Sequence, residues 1–149
     1  MNTKKLIHQK ITQIPKVELH SHLEGTINPL LVRQIAERNS VKLSDSLFTR
    51  QGEYDWNDFA TFLQAYDDAS SCLMYSKDYR DITYDYLKSC ALEGVIYAET
   101  FISPDHAAEM GMSYEDVLYG CAQGIDDAER DFGIVGRIIV TCVRHLGPQ

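Results

Sequence analysis

Residues 16–23 read KVELHSHL, and the apolar and polar side chains alternate with the two-residue period of a β-strand. In a regular strand Val17, Leu19, Ser21 and Leu23 share one face, while Lys16, Glu18, His20, His22 and Glu24 share the other. Gly25 ends the pattern. Asn28-Pro29 then opens a helix to about residue 38, with asparagine as the cap and proline at its favoured first position. Leu30, Leu31, Ile35 and Ala36 supply its apolar stripe.

Working outward, residues 39–55 are rich in Asn, Ser, Asp and Gly and read as loop. Phe59, Phe62, Leu63 and Tyr66 recur at helical spacing, which predicts a helix over 56–69. Another spans 76–93 and stops at Gly94. Residues 95–102, VIYAETFI, form a nearly continuous apolar run closed by Ser103-Pro104. A fourth helix covers 113–131 and ends at Gly133, and 134–143 (IVGRIIVTCV) is again strongly apolar. Apolar strands alternating with helices predict an α/β fold, a parallel sheet covered by helices.

The chain has 149 residues, 44% hydrophobic and 24% charged, within the range of a soluble globular protein. Its 22 acidic residues outnumber 14 basic ones, for a net charge of −8, which argues against a nucleic-acid-binding surface. No run of 18 apolar residues offers a membrane span, and residues 1–15 lack the apolar stretch of a signal peptide. Cys72, Cys90, Cys121 and Cys142 form no CxxC pair, so they read as small buried hydrophobes in a reduced, cytoplasmic protein.

The pattern His20-Ser21-His22 carries the chemistry. Side chains two apart on a strand point the same way, so two imidazoles can converge on one ion. Zinc suits such ligands, with nickel and iron also compatible. Glu24 extends that face as a further ligand or a substrate acceptor. On residue type alone, two hydrogen-bonded or surface strand histidines remain an equal alternative. Glu99 and the pair Arg144-His145 fall near strand ends and read as polar groups lining the sheet. His8 and His106 read as solvated loop residues, and Asp126-Asp127 as a solvated helix face.

PKVELHSHLEGTINPLLV (15–32), DFATFLQAYD (58–67), GVIYAETFISPDH (94–106) and ERDFGIVGRIIVTCVRHLGP (129–148) together resemble the N-terminal portion of the adenosine deaminase family. That family belongs to the metal-dependent amidohydrolases, and the likeness is to bacterial adenosine deaminase-like proteins. The resemblance implies the N-terminal part of a (β/α)8 TIM-type barrel, about three parallel strands with covering helices, the barrel incomplete over residues 1–149. It implies His20 and His22 as two Zn2+ ligands, a half-site, with His22 and Glu24 contacting a small purine nucleoside. Glu24 stands where the family commonly has aspartate, the acceptor for a sugar hydroxyl. Phe62 and Tyr66 fall on a helix that borders an apolar subsite, although a core stripe needs the same spacing.

The implied reaction is hydrolytic deamination of adenosine at C6, giving inosine and ammonia. The family's third zinc histidine, its proton-donating glutamate in an HAGE-like motif, and a further histidine and aspartate have no match in this sequence. The chain alone is therefore expected to be inactive. The alternatives are a truncated or decayed product acting only by association, through exposed sheet edges, or a relative that deaminates adenine or AMP.

Overall fold

The three apolar segments form strands β1 (Lys16–His22), β2 (Val95–Ile102) and β3 (Val135–Val140) of one parallel sheet, in the order β1-β2-β3. A computed structural model describes residues 3–142. Parallel neighbours require long crossovers. Helices α2 (Pro29–Arg38), α3 (Phe59–Ser70) and α4 (Ser76–Leu92) lie between β1 and β2, and α5 (Pro104–Glu109) and α6 (Tyr114–Phe132) between β2 and β3. The α/β parallel architecture expected from the alternation is the one observed. No helix among the described residues is long and apolar enough to cross a membrane.

The caps are local and legible. The Asn28 side chain accepts the Leu30 and Leu31 N–H groups at 3.0 and 2.8 Å, and Ser113 Oγ accepts the Asp116 N–H at 3.1 Å. Helices α4 and α6 approach closely because Gly120 lacks a side chain. A Cβ there would lie 2.1 Å from the Ser76 carbonyl oxygen. Arg80 on α4 pairs with Asp127 on α6 at 2.6 Å, and Asp127 also pairs with Arg130. Asp127 is therefore an interhelical tie, and only its neighbour Asp126 keeps the plain solvated role expected of the pair.

Core packing sits between the helices and one face of the sheet. Ala98, Thr100 and Ile102 of β2 are buried there, with Leu23, Val32, Ile35, Tyr79 and Ile82 among the fully buried side chains. The opposite face carries Tyr97, Glu99 and Phe101, which are only partly covered. The outer edges of β1 and β3 pair with no strand among the described residues. Val17 and Leu19, on the open face of β1, are 57% and 52% exposed.

β1 is not a regular alternation: Glu18 pairs with Ala98 but Ser21 pairs with Thr100, so β1 carries one extra residue between them. An inserted residue reverses the side-chain alternation beyond it. His20 and His22 consequently join Val17 and Leu19 on the open face, rather than sharing a face with Lys16 and Glu18.

Residues 3–12, unassigned from sequence, form helix α1 (Thr3–Thr12). Its polar composition hides it, and a lysine anchors its end. Lys16 Nζ donates to the carbonyls of Ile11 (2.6 Å), Ile14 (2.9 Å) and Glu93 (2.6 Å). His8 thus lies on α1, exposed, and His106 falls within α5, both on helices rather than in loops. All four cysteines are free, but only Cys72 and Cys121 are buried; Cys90 is half-buried and Cys142 exposed. The third strand ends at Val140, and the expected sites Arg144 and His145 lie outside the described residues.

Candidate metal and substrate site

The register slip in β1 assembles the site. It turns His20 and His22 to the open face at the C-terminal end of the sheet, where parallel α/β sheets place their ligands. Their ring centroids are 5.6 Å apart, with the planes tilted by 53°. Phe101, opposite His22 on β2, stacks against both rings at 4.4 and 5.5 Å and limits their rotation. Both imidazoles remain exposed.

They border a cleft of about 530 Å3, within the size range of small-molecule sites. Phe59, Phe62, Leu63 and Tyr66, all on α3, form its apolar wall, and Ser103 its far side. The donor set fits a metal of imidazole preference, because two rings on one face can share an ion. Among the described residues no group of three or more His, Cys, Asp or Glu side chains is placed to hold one. A catalytic zinc takes three protein ligands and an open position, more than these two imidazoles supply by themselves.

Glu24 is placed differently from its neighbours. It leaves the strand in a short 3-10 turn, Leu23–Thr26, and is buried. Tyr66 OH donates to Glu24 Oε2 at 3.1 Å, and the Ser103 N–H donates to Oε1 at 3.2 Å. The carboxylate therefore joins the first strand's turn to α3 and to the end of β2. Gly25 lets this happen, since a Cβ there would press on the Tyr66 ring at 3.3 Å. Burial, then the adjacent Glu24 carboxylate, pushes the Tyr66 hydroxyl well above the usual phenol range, which keeps it a donor.

Sequence reasoning brought forward His20, His22, Glu24, Phe62 and Tyr66, and the structure gathers all five around neighbouring cavities. It missed Phe101, Ser103 and Thr141. Ser103 Oγ and Thr141 Oγ1 lie 2.9 Å apart, linking the ends of β2 and β3. Position alone could have found them, because they follow strands on the side where His22 ends. Glu99 accepts the Tyr97 hydroxyl at 2.8 Å on the open face, as a polar lining group.

The adenosine deaminase family profile matches residues 15–149, nearly the entire chain. This chain belongs to the adenosine deaminase family. Among curated relatives, an adenine deaminase from Chelativorans sp. is 45% identical over 134 residues, covering 90% of this chain and 41% of that protein. One from Agrobacterium fabrum is 42% identical, with the same coverage of 90% and 41%.

Among solved structures, the adenine deaminase of Arthrobacter aurescens superposes with a TM-score of 0.72 at 30% identity. It matches 85% of this chain and 39% of its own length. An amidohydrolase from Burkholderia ambifaria, solved with bound Zn, gives 0.78 at 27%, over 94% and 39%. This adenosine deaminase family member spans about two fifths of the length of the relatives it matches. Its three-stranded open sheet corresponds to the N-terminal part of their TIM-type barrel.

Proposed function

We propose that this chain forms the N-terminal, two-ligand part of a zinc-dependent deaminase that takes adenine and water to hypoxanthine and ammonia. The observation that carries the proposal is the convergence of His20 and His22 on one side of an apolar cleft at the C-terminal end of a parallel sheet. When bound, zinc supplies the Lewis acidity that hydrolysis at C6 requires. His20 and His22 hold it, and Phe101 fixes the direction of both rings. Phe59, Phe62 and Leu63 offer apolar surface to the flat face of a purine and keep water from it.

Adenine, rather than the adenosine implied by the sequence resemblance, is favoured by two supports. The relatives quoted above are adenine deaminases. In addition, the Glu24 carboxylate, the expected acceptor for a sugar hydroxyl, is already engaged by Tyr66 and Ser103. The free cysteines accord with a cytoplasmic setting. A third metal ligand has no counterpart among the described residues of the cleft, and on this reading residues 1–149 alone are expected not to turn over.

The test is ammonia release from adenine, adenosine and AMP. It uses the purified chain with zinc, alone and after co-folding with the C-terminal three fifths of the Chelativorans adenine deaminase. The proposal expects turnover only in the co-folded sample, with adenine preferred. Turnover by the 149 residues alone, or a co-folded complex that prefers adenosine or AMP, contradicts it.

A further inference from the structure

Phe101 is half-buried on the open face of β2 and lies outside the packed core. Its ring centroid is 4.4 Å from that of His20 and 5.5 Å from that of His22. The two imidazole planes depart from the Phe101 plane by 26° and 29°, and from each other by 53°. They therefore lean to opposite sides of the phenyl plane, which nearly bisects the angle between them. One side chain is the stacking partner of both rings.

The backbone makes this arrangement. His22 is the register partner of Phe101, so the two side chains stand beside each other across the parallel pair. His20 reaches the same phenyl ring because the extra residue between Glu18 and Ser21 brings it to the open face. A metal-ligating imidazole is ordinarily oriented by a hydrogen bond through its second nitrogen. Among the described residues neither ring makes such a bond. The torsion that turns an imidazole is broad, and a side chain that must be immobilised on binding costs affinity. Stacking on a shared ring supplies that restraint in advance.

We propose that Phe101 is a positioning residue for the metal pair, which by stacking on both imidazoles presents them together to one divalent ion in place of orienting hydrogen bonds. The inference rests on His20 and His22 being metal ligands, as the deaminase reading requires. It adds that they act as a coupled unit, and that the coupling resides in a side chain that is not itself a ligand.

The experiment follows the ring protons and nitrogens of His20 and His22 by NMR in the 149-residue chain, labelled at histidine, before and during a titration with zinc ion. Wild type, Phe101→Leu and Phe101→Tyr are compared, with His22→Ala to assign the signals. Urea unfolding reports the stability of each. In the metal-free wild type the face of Phe101 should move carbon-bound ring protons of both histidines upfield. On addition of zinc the two residues should respond along one common binding curve. Phe101→Leu, which keeps apolar bulk but removes the ring, should weaken that binding about 10-fold, and Phe101→Tyr should retain the wild-type affinity.

A phenylalanine that only packs would lower the urea midpoint when replaced by leucine and leave the zinc affinity unchanged, and that result overturns the proposal. So does the absence of upfield shifts at either histidine in the wild type, a measurement that stands even if Phe101→Leu fails to fold. A wild type in which neither histidine responds to zinc overturns the proposal and the metal reading beneath it together. A common zinc response that Phe101→Leu does not weaken overturns the positioning role alone.

Discussion

His20 and His22 are exposed while Glu24 is buried, although all three sit within one five-residue stretch. The difference comes from backbone path: one extra residue in β1 turns the imidazoles outward, and a 3-10 turn folds the carboxylate in. Burial governs the cysteines by the same logic. Desolvation disfavours a thiolate and pushes the Cys72 and Cys121 thiols up to about 12. At pH 8 only about one in ten thousand of those thiols is ionised, and the thiolate is the reactive form. A disulfide reagent at pH 8 should therefore modify exposed Cys142 promptly and leave Cys72 and Cys121 unmodified until the protein is unfolded. Peptide mapping checks this, and early labelling of the buried pair would contradict the packing described.

At the scale of elements, α4 depends on one carboxylate. Asp78 is fully buried in its first turn and accepts the N–H groups of Met74 and Tyr75, each at 2.9 Å. It also accepts Asn39 Nδ2 at 2.7 Å and pairs with Arg38, which ties the end of α2 to the start of α4. Asp78→Ala removes the acceptor for all four donors and leaves Arg38 without that partner. We expect a loss of about 3 kcal/mol, read as a lower urea midpoint. Asp78→Asn should lose less, because it keeps an acceptor.

The elements themselves were legible because local rules produce them. The Asn28 cap, the stop at Gly133 and the apolar runs of β2 and β3 each act over a few residues. Two features were not legible. The register slip in β1 depends on pairing with β2, some eighty residues away, so the alternation of residues 16–23 assigned the histidines to the wrong face. Helix α1 is held by Lys16 reaching across to its Ile11 carbonyl and to Glu93, a tertiary contact without a sequence period. The candidate site was marked in the sequence by residue type, HxH at a strand's end, although two surface or hydrogen-bonded strand histidines fit that pattern equally well. Phe101 within β2, and Ser103 and Thr141 just beyond the ends of β2 and β3, carried only their position as a signal, because their contacts exist only once the sheet forms.

At the scale of the molecule, the described residues present an open sheet. Val17, Leu19 and the outer edges of β1 and β3 lie on surfaces that a closed barrel covers. Exposed strand edges and apolar faces promote association. The purified chain should therefore show a sedimentation coefficient that rises with concentration, and a strictly monomeric chain at high concentration would count against an open face.

The open sheet also bears on the proposed metal site. Two imidazoles bind zinc weakly, and closing the barrel around them should make the binding tight. On the proposed reading His20 and His22 begin a metal centre. Zinc content per chain after gel filtration tests it most directly, for the 149-residue chain alone and co-folded with the C-terminal part of a relative. The expected result is near zero for the chain alone, close to one per co-folded complex, and near zero again in His20→Ala and His22→Ala complexes. One zinc retained by both variant complexes would contradict it.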